Sequence, residues 1–314
     1  MNITTDVTLF IVGLVALFLG GEGLVRGASR LARILGINPV VIGLTIVAFG
    51  TSAPEFVVCL IAALKGSSDI VLGNIVGSNI SNIGLILGLA ALISPLLIQI
   101  KLVKVEVPVM IVISLVFYGM AWSLGIGRIG GAALFITLIG FGVYSYYDAT
   151  REPYKVEREY EEFLGAKNGI GKQVLFLIIG LAGLVIGARF VVDSAISMAR
   201  VFGVSELMIS ITAVAIGTSL PELSTSIVAA LKKEHDIVVG NIIGSNIFNM
   251  GILGLVSVIH PISVSPGLLK FEFPVMIFMT ILVFPIMRTG HRVSRIEGAL
   301  LLIFYSAFIF MLFR

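Results

Sequence analysis

Charged residues make up only 12% of this 314-residue chain, against about 25% in an ordinary soluble domain. That shortage excludes a soluble globular protein of this size, and the net charge of +3 gives no sign of a nucleic-acid partner. A single cysteine, Cys59, excludes an intrachain disulfide and every multi-cysteine metal site. Histidine is nearly as scarce: His235, His260 and His291 fall near the ends of apolar runs, where solvated surface residues are expected rather than a proton relay. No HExxH motif or nucleophile–base pair appears at a plausible depth, which argues against an intramembrane hydrolase. A large polar domain is missing too. The one sizeable polar segment is REPYKVEREYEEFLGAKNG, from 151 to 169, whose mixed charge suits a solvated linker.

What the chain has in abundance is hydrophobic residues, at 58%, with a mean hydropathy of +1.10. They gather into ten runs near 7–33, 39–64, 69–94, 105–123, 128–149, 172–201, 206–231, 236–259, 271–287 and 295–313. Such runs match the length a helix needs to cross the hydrocarbon core, so an all-α, polytopic protein of the cell membrane is expected. The start, MNITTDVTLF, lacks a basic region, and the first run is expected to be a retained helix rather than a cleaved signal. With both termini outside, fifteen of the 21 lysines and arginines fall on the cytoplasmic side and six on the other, the bias of the positive-inside rule.

The chain also repeats itself. An offset of 167 carries Gly20 to Gly187, Arg33 to Arg200, Gly36 to Gly203, Thr45 to Thr212, Thr51 to Thr218 and Glu55 to Glu222, and lays DIVLGNIVGSNISNIG onto DIVVGNIIGSNIFNMG. EVPVMI at 106 and EFPVMI at 272 continue the match at an offset of 166. Two halves of five helices follow, 1–149 and 172–314, joined by a cytoplasmic linker at 150–171. Five is odd, so the second half enters the membrane from the opposite side; such inverted repeats hold their substrate at the midplane.

At the middle of the second run stand Gly50, Thr51, Ser52, Pro54 and Glu55, and of the seventh Gly217, Thr218, Ser219, Pro221 and Glu222. Proline lacks the N–H that would bond the carbonyl four residues back and disfavours helix at the preceding residue. Runs 2 and 7 are therefore expected to break, the first around Ala48 to Thr51, and broken backbone at membrane depth is tolerated where it lines a polar cavity. Freed carbonyls, hydroxyls and two carboxylates make an all-oxygen site for hard cations such as Na⁺ and Ca²⁺. A bound cation also offsets the roughly 2.5–3.5 kcal/mol that an intramembrane carboxylate costs. Asn74, Ser78 and Asn82, with Asn241, Ser245 and Asn249, form a polar stripe on the third and eighth helices. The spacing of Gly73 and Gly77, and of Gly240 and Gly244, permits close helix approach.

The motifs GTSAPE with GNIVGSNISN, and GTSLPE with GNIIGSNIFN, resemble the two alpha-repeats of the sodium/calcium exchanger family. That resemblance implies antiport of Ca²⁺ against Na⁺ by alternating access, with the first and sixth helices sliding over a core, as the glycines at 13, 20 and 27 suit. It implies that Glu55 and Glu222, with the Thr51 and Thr218 carbonyls, hold Ca²⁺. One Na⁺ would take the Ala48 carbonyl, Thr51, Ser78 and Glu55, and its mate the Ala215 carbonyl, Thr218, Ser245 and Glu222. Asn82 and Asn249 would line a middle position, and Ser52 and Ser219 complete the set. Some relatives carry Asp where this chain has Asn249, so no K⁺ requirement is expected here. The ions are cargo, no resident cofactor is implied, and a monomer in the bilayer suffices. Ca²⁺/H⁺ antiport and a cation channel are the alternatives. Cys59 is expected to pack, Glu106 and Glu272 to complement helix dipoles, and Glu22, with Arg189 at its repeat position, to line a gate or pack a helix.

Overall fold

In lipid every backbone polar group must find its partner within the protein, which leaves helix as the way for an apolar run to cross. The computed structural model describes residues 3–123, 125–151, 169–201 and 206–312, without the side chains of 149–151 and 206–216. The linker segment 152–168, Gly203 and Arg314 lie outside the described residues, as does the Thr212 side chain. Helix occupies each of the ten apolar runs. In chain order these are α1 (Ile3–Leu35), a bent pair α2 (Pro39–Thr51) and α3 (Ala53–Leu64), and α4 (Ser68–Ile93). After a short α5 (Ile100–Lys104) come α6 (Glu106–Ala121), α7 (Arg128–Arg151), α8 (Ile170–Val201), α9 (Glu206–Leu231) and α10 (His235–Ile259). A second short helix, α11 (Pro266–Lys270), precedes α12 (Glu272–Arg288) and α13 (Arg295–Leu312). Among the described residues seven helices, or eight segments with the bent pair taken as one, are long and apolar enough to cross a membrane. Glu106 and Glu272 are each the first residue of their helix.

The chain is not purely helical. Loops on each side pair as two-residue antiparallel strands, Leu96–Leu97 (β1) with Arg292–Val293 (β4) and Gly125–Ile126 (β2) with Ile262–Ser263 (β3). Pairing this short has no periodicity to read; it exists because the fold brings distant loops together. His235 joins one of these corners, its Nδ1 accepting the Leu97 N–H at 3.0 Å.

Glycine sets how α1 and α8 meet. A Cβ on Gly13 would lie 2.9 Å from the Gly187 carbonyl oxygen, and one on Gly180 2.5 Å from the Leu24 nitrogen and 2.8 Å from the Gly20 oxygen. The two long helices thus run backbone against backbone, and Gly13 with Gly20 map onto Gly180 with Gly187 by the 167-residue offset. α1 stops at Gly36, whose φ of +64° lets the Ile37 N–H reach the Ala32 carbonyl and its own N–H the Arg33 carbonyl. α10 approaches α2 just as closely: Cβ atoms on Gly240 and Gly244 would lie 2.7 and 2.6 Å from the Val40 and Leu44 oxygens. At Gly73 and Gly77 no described atom comes within 4 Å of the Cβ position. The segment that corresponds to α2 there, 206–216, has side chains outside the described residues.

The two proline runs differ. Between α2 and α3 the path bends by 43° at Ser52, which has left helical geometry (φ −83°, ψ 5°). The break falls just after Ala48 to Thr51 because Pro54 opens the first turn of the next helix, where its missing N–H costs nothing. Part of the distortion moves upstream, into a π-helical stretch at Gly43–Val47. α9, by contrast, is one continuous helix with Pro221 inside it, so the expected break of the seventh run is not found. One proline deletes one hydrogen bond, and within a membrane protein hydroxyls and neighbouring helices can satisfy the carbonyl it frees. A second π-helical stretch begins at Asn82 and runs to Leu87 within α4; neither was foreseeable from spacing alone.

Candidate cation site

The α2–α3 pair, α4, α9 and α10 pack together, and their polar residues meet at the centre. Glu55 stands in the first turn of α3 and Glu222 directly after Pro221, and both are buried. Thr51, Ser52, Ser78, Asn82, Thr218, Ser219, Ser245 and Asn249 are all buried with them. For Ala215 only the backbone path is described. Among the described residues no cluster of three or more histidine, cysteine or acidic side chains exists, so a ligand here meets two carboxylates and neutral oxygens.

Hydrogen bonds cross between the N-terminal and C-terminal halves of the chain in matched pairs. The Thr51 hydroxyl donates to Asn241 Oδ1 at 3.1 Å, and the Thr218 hydroxyl to Asn74 Oδ1 at 3.0 Å. Each asparagine is held from behind: Asn241 Nδ2 donates to Ser226 Oγ at 3.1 Å, and Asn74 Nδ2 to Cys59 Sγ at 3.3 Å. Ser226 and Cys59 themselves correspond at the 167-residue offset. A second matched set joins Asn82 Nδ2 to Asn246 Oδ1 and Asn249 Nδ2 to Asn79 Oδ1, both at 3.0 Å. Ser52 breaks the pairing by donating to Glu222 Oε1 at 3.1 Å, while Ser219 meets Ser78 at 3.4 Å. The Ala48 carbonyl is not released by the break: it accepts the Ser52 N–H at 3.0 Å and faces the Thr51 hydroxyl at 3.4 Å.

Of the eleven buried side-chain polar atoms without a hydrogen-bond partner among the described residues, six belong to this cluster. They are both oxygens of Glu55, Oε2 of Glu222, Oγ of Ser245 and the amide oxygens of Asn82 and Asn249. An unpartnered buried polar group costs about 1–3 kcal/mol, more when charged. Five of these six atoms can only accept, and Ser245 can accept as well as donate. Such a set of acceptors can receive a cation.

Asn74 and Asn241 lie on the predicted stripe, yet they hold the threonines rather than line the site. Asn79 and Asn246 escaped the sequence reading, which took every fourth residue of the helix. Their recurrence in GSNI at both repeats was the available signal. Glu22 and Arg189 have separate partners: Glu22 pairs with Arg26 at 2.7 Å and Lys232 at 2.9 Å, tying α1 to the end of α9, and Arg189 meets Asp193 at 3.5 Å on the exposed face of α8.

Comparison with known proteins extends this picture along the whole chain. The family model described as "Sodium/calcium exchanger protein" matches residues 5–147 and again 172–314. The chain is 34% identical over 349 residues to the sodium/calcium exchanger MaX1 of Methanosarcina acetivorans, covering 99% of each chain. It is 40% identical over 279 residues to the inner membrane protein YrbG of Escherichia coli K12, covering 87% of this chain and 86% of that one. Its fold follows the solved sodium-calcium exchanger NCX_Mj with a TM-score of 0.85 and 32% identity, over 98% of this chain and 99% of the other. The helices, long and apolar, therefore belong to a multi-pass membrane transporter and not to an enzyme. With the family model spanning both halves and the fold shared end to end with a solved exchanger, this chain belongs to the sodium/calcium exchanger family.

Proposed function

We propose that the protein exchanges Ca²⁺ for Na⁺ by alternating access, with ions bound at the midplane between two inverted repeats of five membrane-spanning helices. The repeats are 1–149 and 172–314, the linker at 150–171 is cytoplasmic and both termini are outside. The observation that carries the reading is the cluster of unpartnered acceptor oxygens around Glu55 and Glu222. Ca²⁺ is held by these two carboxylates with the Thr51 and Thr218 carbonyls. Na⁺ takes Ser78 and Thr51 beside Glu55 and the Ala48 carbonyl, or Ser245 and Thr218 beside Glu222 and the Ala215 carbonyl. Ser52 and Ser219 border the two glutamates, and Asn82 and Asn249 present amide oxygens between them. Sliding of α1 and α8, which touch through glycine, opens the site to one side and then the other. The twofold match of the family model and the crossed hydrogen bonds support the repeat architecture.

The test is flux in proteoliposomes holding purified protein. Ca²⁺ uptake should follow an outward Na⁺ gradient and stop when no counter-ion is present. Uptake driven equally by a proton gradient would replace Na⁺ with H⁺ as the coupling ion, and passive uptake would mark a channel. Ser78→Ala and Ser245→Ala each delete one neutral ligand. They should raise half-saturating Na⁺ by about three- to tenfold, the equivalent of one ordinary hydrogen bond, and leave Ca²⁺ dependence less affected. An equal loss for both ions would make the serines structural.

With two carboxylates, one Ca²⁺ balances the site and a third Na⁺ leaves it positive, so three-for-one exchange should carry net current and two-for-one none. Among the described residues no third carboxylate joins this cluster to hold another monovalent ion, and exchange should proceed without K⁺. Asn249→Asp should add affinity for a monovalent ion or a proton and make the rate more pH-dependent, because like charges crowded at low dielectric raise one another's pKa. A variant with unchanged ion and pH dependence would move Asn249 out of the site.

A further inference from the structure

We infer that Asn246 and Asn79 are positioning residues that fix which face of the Asn82 and Asn249 amides the transported ions meet; this rests on the cation site proposed above. An asparagine amide carries an acceptor on one side and two donors on the other, and turning it over exchanges them. Facing cations, only the oxygen is useful, since the turned amide would present partial positive charge. The chain resolves this choice twice. Asn82 Nδ2 is taken by Asn246 Oδ1 and Asn249 Nδ2 by Asn79 Oδ1, which leaves Asn82 Oδ1 and Asn249 Oδ1 buried with no donor among the described residues.

The anchors are themselves held in one sense. Asn246 Nδ2 lies 3.5 Å from Met110 Sδ, and Asn79 Nδ2 lies 3.9 Å from Met276 Sδ. A thioether sulfur accepts weakly and donates nothing, so it favours the amino side of the anchor and turns the anchor's oxygen towards the site asparagine. Met110 and Met276 correspond at the 166-residue offset, and Asn79 and Asn246 at 167. Each relay of sulfur, anchor and site amide therefore crosses from one half to the other. Without its anchor a site amide samples both orientations and offers its oxygen for part of the time, which weakens ion binding without removing a ligand.

The test compares Asn246→Leu with Asn246→Asp in the full-length protein, reconstituted in proteoliposomes, measuring uptake against Ca²⁺ and against Na⁺. Both substitutions remove the amino group that faces Met110, and only leucine removes the acceptor that holds Asn82. Asn246→Leu should raise half-saturating concentration for at least one ion by about 10–100-fold, the usual penalty for losing an outer partner of a ligand, with the maximal rate little changed. Asn246→Asp should show no such weakening. In an Asn82→Asp background, whose two oxygens are equivalent, adding Asn246→Leu should cost far less. Asn79→Leu should act likewise through Asn249, and Asn246→Ala serves if leucine prevents folding. Unchanged half-saturation in the acceptor-free variants, or equal weakening by aspartate and leucine, would overturn the positioning role. So would a fall in rate and folded yield alone, which marks packing. A parent protein that shows no Na⁺-driven exchange would instead refute the function on which this role rests.

Discussion

Glu222→Gln should bring Na⁺-driven Ca²⁺ uptake down to background, and Glu55→Gln should do the same. Each change is isosteric and removes half of the formal negative charge at the site. At about 4 Å and an effective dielectric near 20, one unit charge interacting with another is worth about 4 kcal/mol, close to a thousandfold in an equilibrium constant. A divalent ion that lipid cannot solvate has no other source for that energy here, since the remaining ligands are neutral. The fold should survive. Ser52 can donate to a glutamine oxygen as it does to Glu222 Oε1, and the Glu55 carboxylate oxygens have no hydrogen-bond partner among the described residues. Purified variant of normal yield and elution, reconstituted and assayed with ⁴⁵Ca²⁺, gives the answer. Near-parental uptake by either one removes the centre of the proposed function.

Gly180→Leu should stop exchange by a different route. A Cβ alone would stand 2.5 Å from the Leu24 nitrogen of α1, and backbone cannot yield as a flexible side chain does. Overpacking of this kind costs about 1–3 kcal/mol, occasionally more, and here the whole leucine must enter between α1 and α8. The pair should part or rotate, so that the helices expected to slide lose the surface on which they do so. Purified variant should unfold at lower temperature, still be stabilised by added Ca²⁺ and show no flux above empty vesicles. Parental flux would mean that the α1–α8 contact carries no part of the transport cycle. Gly171→Leu, on the same helix where no described atom lies within 4 Å of the Cβ position, controls for bulk alone.

Much of this was legible because lipid makes polar residues informative. A glutamate at membrane depth demands a reason, and GTSAPE with GTSLPE gives the same reason twice. Packing around small residues was legible in the glycines at 13, 20, 240 and 244, which do meet backbone. Spacing records what a helix face permits and not which neighbour arrives. The proline rule was read too strongly. It places a distortion near Pro54 but does not choose between a break, as at Ser52, and a continuous helix, as around Pro221, because the outcome depends on what neighbouring helices offer the freed carbonyl. Asn79 and Asn246 stayed hidden for a related reason. Adjacent to the serines, they point off the stripe, and their value lies in partners more than 160 positions away.

The crossed threonine bonds also impose an order on synthesis. Thr51 finds its acceptor on Asn241, 190 positions later in the chain. At roughly 5–20 residues per second of translation, Glu55 and its polar neighbours wait for about 10–40 s before that partner is made. On the proposed architecture the first half lacks these partners until the second is made. Release before the second half arrives would leave a carboxylate facing lipid. Truncated chains ending before Asn241 should accordingly be recognised by membrane proteases.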